Sequence, residues 1–382
     1  MASARFVRRR DRFGMTRQWR PDNAGPENAL QGRGASGARA SSDTRDHRSG
    51  RPRDMYAALD LGTNNCRLLI AHPTRGGFRV VDGYSEIVRL GEGLAASGRL
   101  SEAAMARTYR ALATCAERIA ARPVVNVGCI ATQAMRVAAN GPQFLDRVRQ
   151  DLGLRFRVIK PKEEAKLAVL GCAQLIDDRA QAALVVDIGG GSTELSWVDA
   201  NQVRAKLAEG IYDPPLRAWG STPVGVVTLA DSHPETADVD VWYENLVRWI
   251  AVHMASAPGA AEELRPLFES GKAHIVGTSG AVTSLAALHL GLRKYRRADV
   301  DGAWITPAQC REITAQLRKM SVAERAAHPC IGPDRADLIV PGAAILDAIC
   351  RLWPVERIRV ADRGLREGVL MQLMAQHRGA WT

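Results

Sequence analysis

The chain has 382 residues, which at roughly 150 per domain suggests two to three domains. It is 46% hydrophobic, 24% charged and 5% aromatic, which excludes a wholly disordered chain, and no apolar run approaches the ~20 residues of a membrane-spanning helix. Residues 1–53 hold thirteen arginines against five acids, so +8 of the formal +11 sits in that segment and the rest of the chain is close to neutral.

Chain order begins with that segment, which has few apolar residues and no period and is expected to be a disordered basic tail. Three readings fit it: a solvated extension, with the true start nearer Met55; a basic arm that holds polyanions; or an Arg-rich targeting peptide. Tyr56 to Asp60 then reads as a buried strand ending in a Gly turn, followed by strands at Arg67 to Ala71 and near Phe78 to Asp82. Ser101 is placed to cap an amphipathic helix reaching about Arg122, with Glu102 in its first turn. Val124 to Ala131 and Phe156 to Ile159 read as strands, Pro142 as the opening of a helix, and Glu163 to Gln174 as another helix. At Ala183 the opening theme returns: a buried run ending in Asp187, a Gly-rich turn, and a strand at Glu194 to Val198. We read this as a duplicated α/β unit with a cleft between its halves. Leu207 to Ser221, with Pro214-Pro215, reads as a long loop. Beyond the strand Ala273 to Gly277 the chain is expected to be helical, apart from one strand at Arg357 to Ala361.

The chemistry concentrates in the two turns. In Asp60-Leu61-Gly62-Thr63-Asn64-Asn65-Cys66-Arg67 a strand ends in a carboxylate and small polar residues follow. Glycine lets the backbone approach an anion, and converging N–H groups make a phosphate cradle from Gly62, Thr63, Asn64 and Asn65. Asp187-Ile188-Gly189-Gly190-Gly191-Ser192-Thr193-Glu194 repeats the pattern. Taken singly, either turn could be an ordinary hairpin; two behind buried strands point to phosphate. Phosphoryl transfer uses a divalent metal to offset charge, and magnesium (or manganese) is held by one or two carboxylates plus substrate oxygens. Asp60, Asp187 and Glu194, at strand ends facing the cleft, suit that role. Gly277-Thr278-Ser279-Gly280 would add a third glycine turn. Arg136 and Arg335 are further basic candidates, because guanidinium matches phosphate oxygens bidentately. In Lys160-Pro161-Lys162-Glu163-Glu164-Ala165-Lys166, acids opening a helix are explained by the helix dipole alone.

Taken in order, these segments resemble the exopolyphosphatase/guanosine pentaphosphate phosphatase family of the actin–hexokinase–Hsp70 superfamily. The resemblance runs over about residues 55–376. It rests on 60–67, 187–194, Glu163 to Lys166, Gly277 to Gly280 and Asp362-Arg363-Gly364-Leu365-Arg366-Glu367-Gly368. Arg89 to Leu94, Ala131 to Arg136 and Pro223 to Val227 support it. It implies an α/β fold of two RNase H-like domains around a central cleft: residues 54–162, joined by a terminal helix at 364–382, and residues 163–363. It implies that Glu164 is the base that activates water and that Arg67 binds phosphate. The implied activity is release of orthophosphate from the end of inorganic polyphosphate. Removal of the 5′-terminal phosphate of guanosine pentaphosphate is the alternative, and a homodimer is the implied assembly.

Departures from the family pattern are Thr63 and Asn65 in the first turn and Ala281 after the third. The chain also stops soon after Gly368, without the additional helical domain of long members, which leads us to expect a preference for shorter polymers. Seven scattered cysteines with no C-x-x-C pair favour a reducing, cytoplasmic compartment. Eight histidines in no H-E-x-x-H or H-x-H arrangement argue against a zinc hydrolase. The scattered tryptophans form no platform for specific nucleic-acid binding. Two readings of other classes are a sugar kinase of the same superfamily and a non-catalytic polyanion-binding protein.

Overall fold

The computed structural model describes residues 54–74, 77–255 and 261–379. What was expected of the basic segment 1–53 lies outside the described residues. The first half grows from an antiparallel hairpin of β1 (Met55–Leu61) and β2 (Asn65–Thr74), extended by β3 (Gly77–Ile87), β4 (Val124–Ala131) and β5 (Phe156–Val158). These form a five-stranded sheet in the order β3-β2-β1-β4-β5, with β1 and β4 parallel. The second half repeats the plan with β6 (Ala182–Ile188), β7 (Thr193–Asp199), β8 (Ala218–Thr222), β9 (Ala273–Thr278), β10 (Trp304–Ile305) and β11 (Ile358–Ala361). Its six strands run β10-β11-β9-β6-β7-β8. β6 pairs antiparallel with β7 and parallel with β9, as β1 does with β2 and β4.

Each sheet is apolar on both faces, which is why its central strands read as continuous hydrophobic runs. In the first half, Ala57, Leu59 and Leu61 face one core with Leu112 and Phe144, while Tyr56 and Ala58 face another with Leu365, Val369 and Leu370. The helix Leu365–Gly379 thus lies against the first sheet although it follows β11 in the chain. Ser101 caps the helix Glu102–Ala120, accepting the Ala104 N–H at 3.2 Å.

Several elements escaped the sequence, among them β8, β10 and the helices Ala200–Ala208, Val226–Ser232 and Val239–Ala255. The segment read as one long loop contains the end of a helix (Ala200–Ala208) and all of β8 but its last residue, Thr222. Ala-Trp-Gly-Ser-Thr has no β-branched alternation; its strand exists because β7 offers an edge, which is a tertiary effect. β10 is two residues long and pairs only with Arg359 and Ile358. The helix expected from Glu163 starts at Pro161, whose fixed φ suits a first turn.

The helices Pro161–Cys172 and Leu365–Gly379 cross at glycines. A Cβ on Gly171 would overlap the Gly364 carbonyl, and one on Gly368 the Leu167 carbonyl. Because backbone cannot rotate away, Gly171→Ala should cost about 1–3 kcal/mol or more and lower the melting temperature by several degrees. A thermal melt unchanged from wild type would show that the helices have room to part.

Candidate active site

Both hairpins end at the same place. Antiparallel register sets Asp60 opposite Arg67 and Asp187 opposite Glu194, so each pair shares a face of its sheet. The turns between them touch. A Cβ on Gly190 would lie 2.9 Å from the Asn64 backbone nitrogen and 3.2 Å from Thr63 Cβ. One on Gly191 would lie 2.7 Å from Thr63 Oγ1 and 3.0 Å from Gln133 Cγ. Only glycine allows this approach of two turns from two sheets.

The turns are held from behind. Gly62 N–H donates to the Asn65 carbonyl at 2.9 Å, and Gly189 N–H to the Ser192 carbonyl at 2.8 Å. The helix Val226–Ser232 aims its first N–H groups at the second turn: Val226 donates to Gly189 O at 3.0 Å and Val227 to Gly190 O at 2.8 Å. Gly225, at that helix's N-cap, lies against Gly190, and a Cβ there would overlap the Gly190 carbonyl. Within the pocket, Asp60 Oδ1, Thr63 Oγ1 and Asn64 Oδ1 are buried without a hydrogen-bond partner. Three orphaned oxygens in one place are what a site built for an absent ligand leaves behind.

Four acids converge here. Burial pushes Asp60 up to about 6, against the pull of Arg67 and Arg366. Burial raises Asp187 to about 7, helped by the charges of Glu164 and Asp60. Glu194 is raised well above its usual range by burial, with Glu164 and Asp187 adding to it. Its Oε1 accepts from Ser192 Oγ and Ser221 Oγ, both at 2.8 Å. Glu164, 7% exposed, is raised to about 7 by burial, although Arg136 opposes this. Like charges crowded in a desolvated cleft call for a cation.

Several residues singled out by motif serve the site indirectly. Arg136 was a phosphate candidate, yet it donates to Glu164 Oε2 at 2.6 Å, to Gln133 Oε1 at 2.9 and 3.1 Å, and to the Ile159 carbonyl at 3.0 Å. With those donors engaged, it positions Glu164. The Thr193 hydroxyl donates to the Val224 carbonyl at 2.7 Å and is unavailable to phosphate, while Ser192 Oγ is spent on Glu194. Gly277 lies inside β9, with Val282 Cγ1 3.0 Å from its Cβ position. Ser279 shapes the third turn. Its φ of 139° lies where side chains are disfavoured, and it caps the helix Gly280–His289. Arg335 lies alongside Gly280, with Nε and Cζ 3.9 Å from that residue's Cβ position. The Arg67 side chain stays partly exposed and makes no ion pair or hydrogen bond among the described residues.

Across the mouth, Arg89 from the first half makes a bidentate pair with Asp337 of the second, at 2.7 and 2.8 Å. Sequence reasoning passed over Ser221, Gln133 and Gly225. Ser221 lies in the strand that was not foreseen, and the other two act only through the three-dimensional contact of the turns.

Two sheets of this shared topology, with a glycine turn after the first strand of each meeting in one cleft, define the actin–hexokinase–Hsp70 type of α/β fold. The profile of the Ppx/GppA phosphatase family matches residues 69–377, and the chain belongs to that family. Among its relatives, the guanosine-5′-triphosphate,3′-diphosphate pyrophosphatase of Aeromonas hydrophila is 29% identical over 323 residues, covering 85% of this chain. The protein of the same name from Aliivibrio fischeri is 31% identical over 319 residues, covering 82%. The chain spans only 60% and 58% of those proteins' lengths. A crystal structure of an exopolyphosphatase-like protein superposes with a TM-score of 0.72 at 28% identity, over 84% of this chain and 97% of that one. The Aquifex aeolicus member of the Ppx/GppA family gives 0.66 at 27%, over 85% and 98%. No described helix is long and apolar enough to cross a membrane.

Proposed function

We propose that this chain is an exopolyphosphatase: a divalent-metal-dependent hydrolase that removes the terminal phosphate of inorganic polyphosphate as orthophosphate. The observation that carries the reading is the placement of Glu164. It is a buried carboxylate pinned by Arg136 and close enough to Asp60, Asp187 and Glu194 to feel their charges. In the proposal, the backbone of the two turns, with Thr63, Asn64, Arg67, Ser279, Gly280 and Arg335, grips the chain end. Glu164, with a proton affinity near neutrality, takes the proton from the attacking water. The domain division at about residues 162 and 363, a cytoplasmic location and a homodimer belong to the same proposal.

A second reading, hydrolysis of the 5′-terminal phosphate of guanosine pentaphosphate, is favoured by the names of the two bacterial relatives. Phosphate release by purified protein from polyphosphate and from the nucleotide, measured side by side, decides between them. Release from neither would sink both.

Asp60, Asp187 and Glu194 would hold magnesium or manganese. The orphaned Asp60 Oδ1 and the crowding of acids fit a hard cation. Among the described residues no three acidic, His or Cys side chains close around one point, so one or two of these carboxylates would bind the ion directly, with substrate oxygens and water completing the shell. When bound, the ion would neutralise phosphate charge.

A pH signature follows. Asp60 at about 6 and Glu164 and Asp187 at about 7 hold protons more tightly in the folded chain than unfolded carboxyls near ~4 do. Their contribution to the stability of metal-free protein is full below that unfolded value and is lost as pH rises through 6 to 7. His274, whose proton burial disfavours, acts in the opposite sense, as one group against these three. With chelator present, the melting temperature should fall between about pH 5.5 and pH 8, and added Mg2+ should offset the fall. Chelated protein that gains stability over that interval would contradict the acid cluster.

A further inference from the structure

We propose that Arg366 is a phosphate-contacting arginine of this cleft, forming with Arg67 a pair of guanidinium groups that close on the terminal phosphoryl group. This rests on the hydrolase reading and adds to it a residue that none of the motif arguments assigned.

The helix Leu365–Gly379 fixes where Arg366 sits. Val369 packs over Gly128, with Cγ1 2.7 Å from that glycine's Cβ position, and Gly128 pairs with Ala58 on β1. One helical turn back toward the N-terminus is ~5.4 Å, and two residues along a strand are ~6.6 Å. Arg366, in the first turn of that helix, lies close enough to Asp60 and to Arg67, which face each other across the hairpin, for their charges to act on one another.

The side chain of Arg366 is 14% exposed, yet it has almost nothing to bind. Its nearest carboxylate oxygen, Glu367 Oε1, is 4.0 Å away. Glu367 is already occupied: Arg297 Nη2 donates to it at 3.0 Å and the Gly364 N–H at 2.9 Å. Among the described residues Arg366 makes no hydrogen bond, although a guanidinium carries five donors. Burial weakens its hold on a proton, with the neighbouring guanidiniums Arg67 and Arg297 adding to this and the carboxylates Glu367 and Asp362 opposing it. Two partly buried guanidiniums side by side, with donors unspent, present a place where an anion is favoured. Asp60 lies within range of both Arg67 and Arg366 but leaves its Oδ1 without a partner, so Arg366 is not simply its structural counter-ion. A terminal phosphoryl group, with charge spread over three oxygens, is the anion two planar forks can share.

The test uses Arg366→Ala and Arg366→Lys in the full chain with Mg2+ present. We expect kcat/KM for Arg366→Ala to fall by ~10²–10³-fold on whichever substrate the wild type hydrolyses. Millimolar guanidinium ion should restore at least tenfold of that loss. Lysine keeps the charge but lacks the fork, so Arg366→Lys should recover no more than about a tenth of wild-type activity. A binding measurement stands apart from turnover: tripolyphosphate should bind Glu164→Gln/Arg366→Ala at least ~10-fold more weakly than Glu164→Gln alone. Folded Arg366→Ala that is not rescued by guanidinium, or that binds tripolyphosphate unchanged, overturns the assignment. Should the alanine variant fail to fold, Arg366→Lys decides, and activity within threefold of wild type sinks the proposal. A wild type that hydrolyses neither substrate would count against the hydrolase reading, while the binding comparison would still judge Arg366.

Discussion

Glu164→Gln should lower kcat by ~10²–10⁴-fold while leaving KM within a few-fold of wild type. The geometry makes this substitution a clean one. Glutamine keeps the shape of the side chain, and its carbonyl oxygen can still accept the Arg136 N–H that now reaches Glu164 Oε2 at 2.6 Å. Arg136 remains anchored by Gln133 and the Ile159 carbonyl, so the neighbourhood should not rearrange. What disappears is the ability to accept a proton from water, and with it the acidic limb of the pH–rate profile that a carboxyl at about 7 would give. Phosphate binding belongs to the turns and arginines and should survive. The measurement is orthophosphate release at several substrate concentrations, with Mg2+ saturating. A kcat within tenfold of wild type would remove Glu164 from the chemistry, whatever the family resemblance implies.

The duplicated hairpins also show how one plan yields two tasks. At the position across from the turn aspartate, the first hairpin carries Arg67 and the second carries Glu194. Under the proposed function, this one exchange of sign would suit the first turn to phosphate and the second to a cation. Helix Val226–Ser232 reinforces the division, because its N–H groups are spent on the carbonyls of Gly189 and Gly190. Those carbonyls thus face backwards, away from the contact with the first turn.

The strands and turns that build the cleft were legible in the sequence because they are local: a buried run, an acid, glycines, then a second run. Val124 to Ala131 was readable as a strand to the residue, since its pattern is its own. What the sequence hid depends on partners distant in the chain. β8 is a strand only because β7 lies beside it, and Ser221 matters only because β8 carries it to Glu194. The side-chain partners of Arg136 and Thr193 were hidden for the same reason. Residue type permits phosphate binding, but the fold has already given Arg136 to Glu164 and the Thr193 hydroxyl to Val224. Arg366 is the reverse case, a residue inside a recognised motif whose unspent donors appear only once the helix is docked.

Gly190→Ala should reduce kcat/KM by ~10²-fold or more with little change in overall fold, because displacements near 1 Å at a reacting centre have effects of that size. The new methyl would sit 2.9 Å from both the backbone nitrogen and the Cβ of Asn64, where no rotamer change can relieve it. Something must give, and the softest response is for the two turns to separate. That separation would pull Thr63 and Asn64 from Gly190 and Gly191, loosening the grip on phosphate and the spacing of the acids together. Both kcat and KM should therefore worsen, unlike the split expected for Glu164→Gln. Gly77→Ala is the matched control: among the described residues nothing lies within 4 Å of its Cβ position, and it should behave as wild type. The double variant Gly190→Ala/Asn64→Gly removes the Asn64 side chain but leaves its backbone nitrogen in the way, so it should recover only part of the loss. Wild-type rates from Gly190→Ala would mean that the turns stand apart during turnover, and that their contact belongs to a resting state of the cleft.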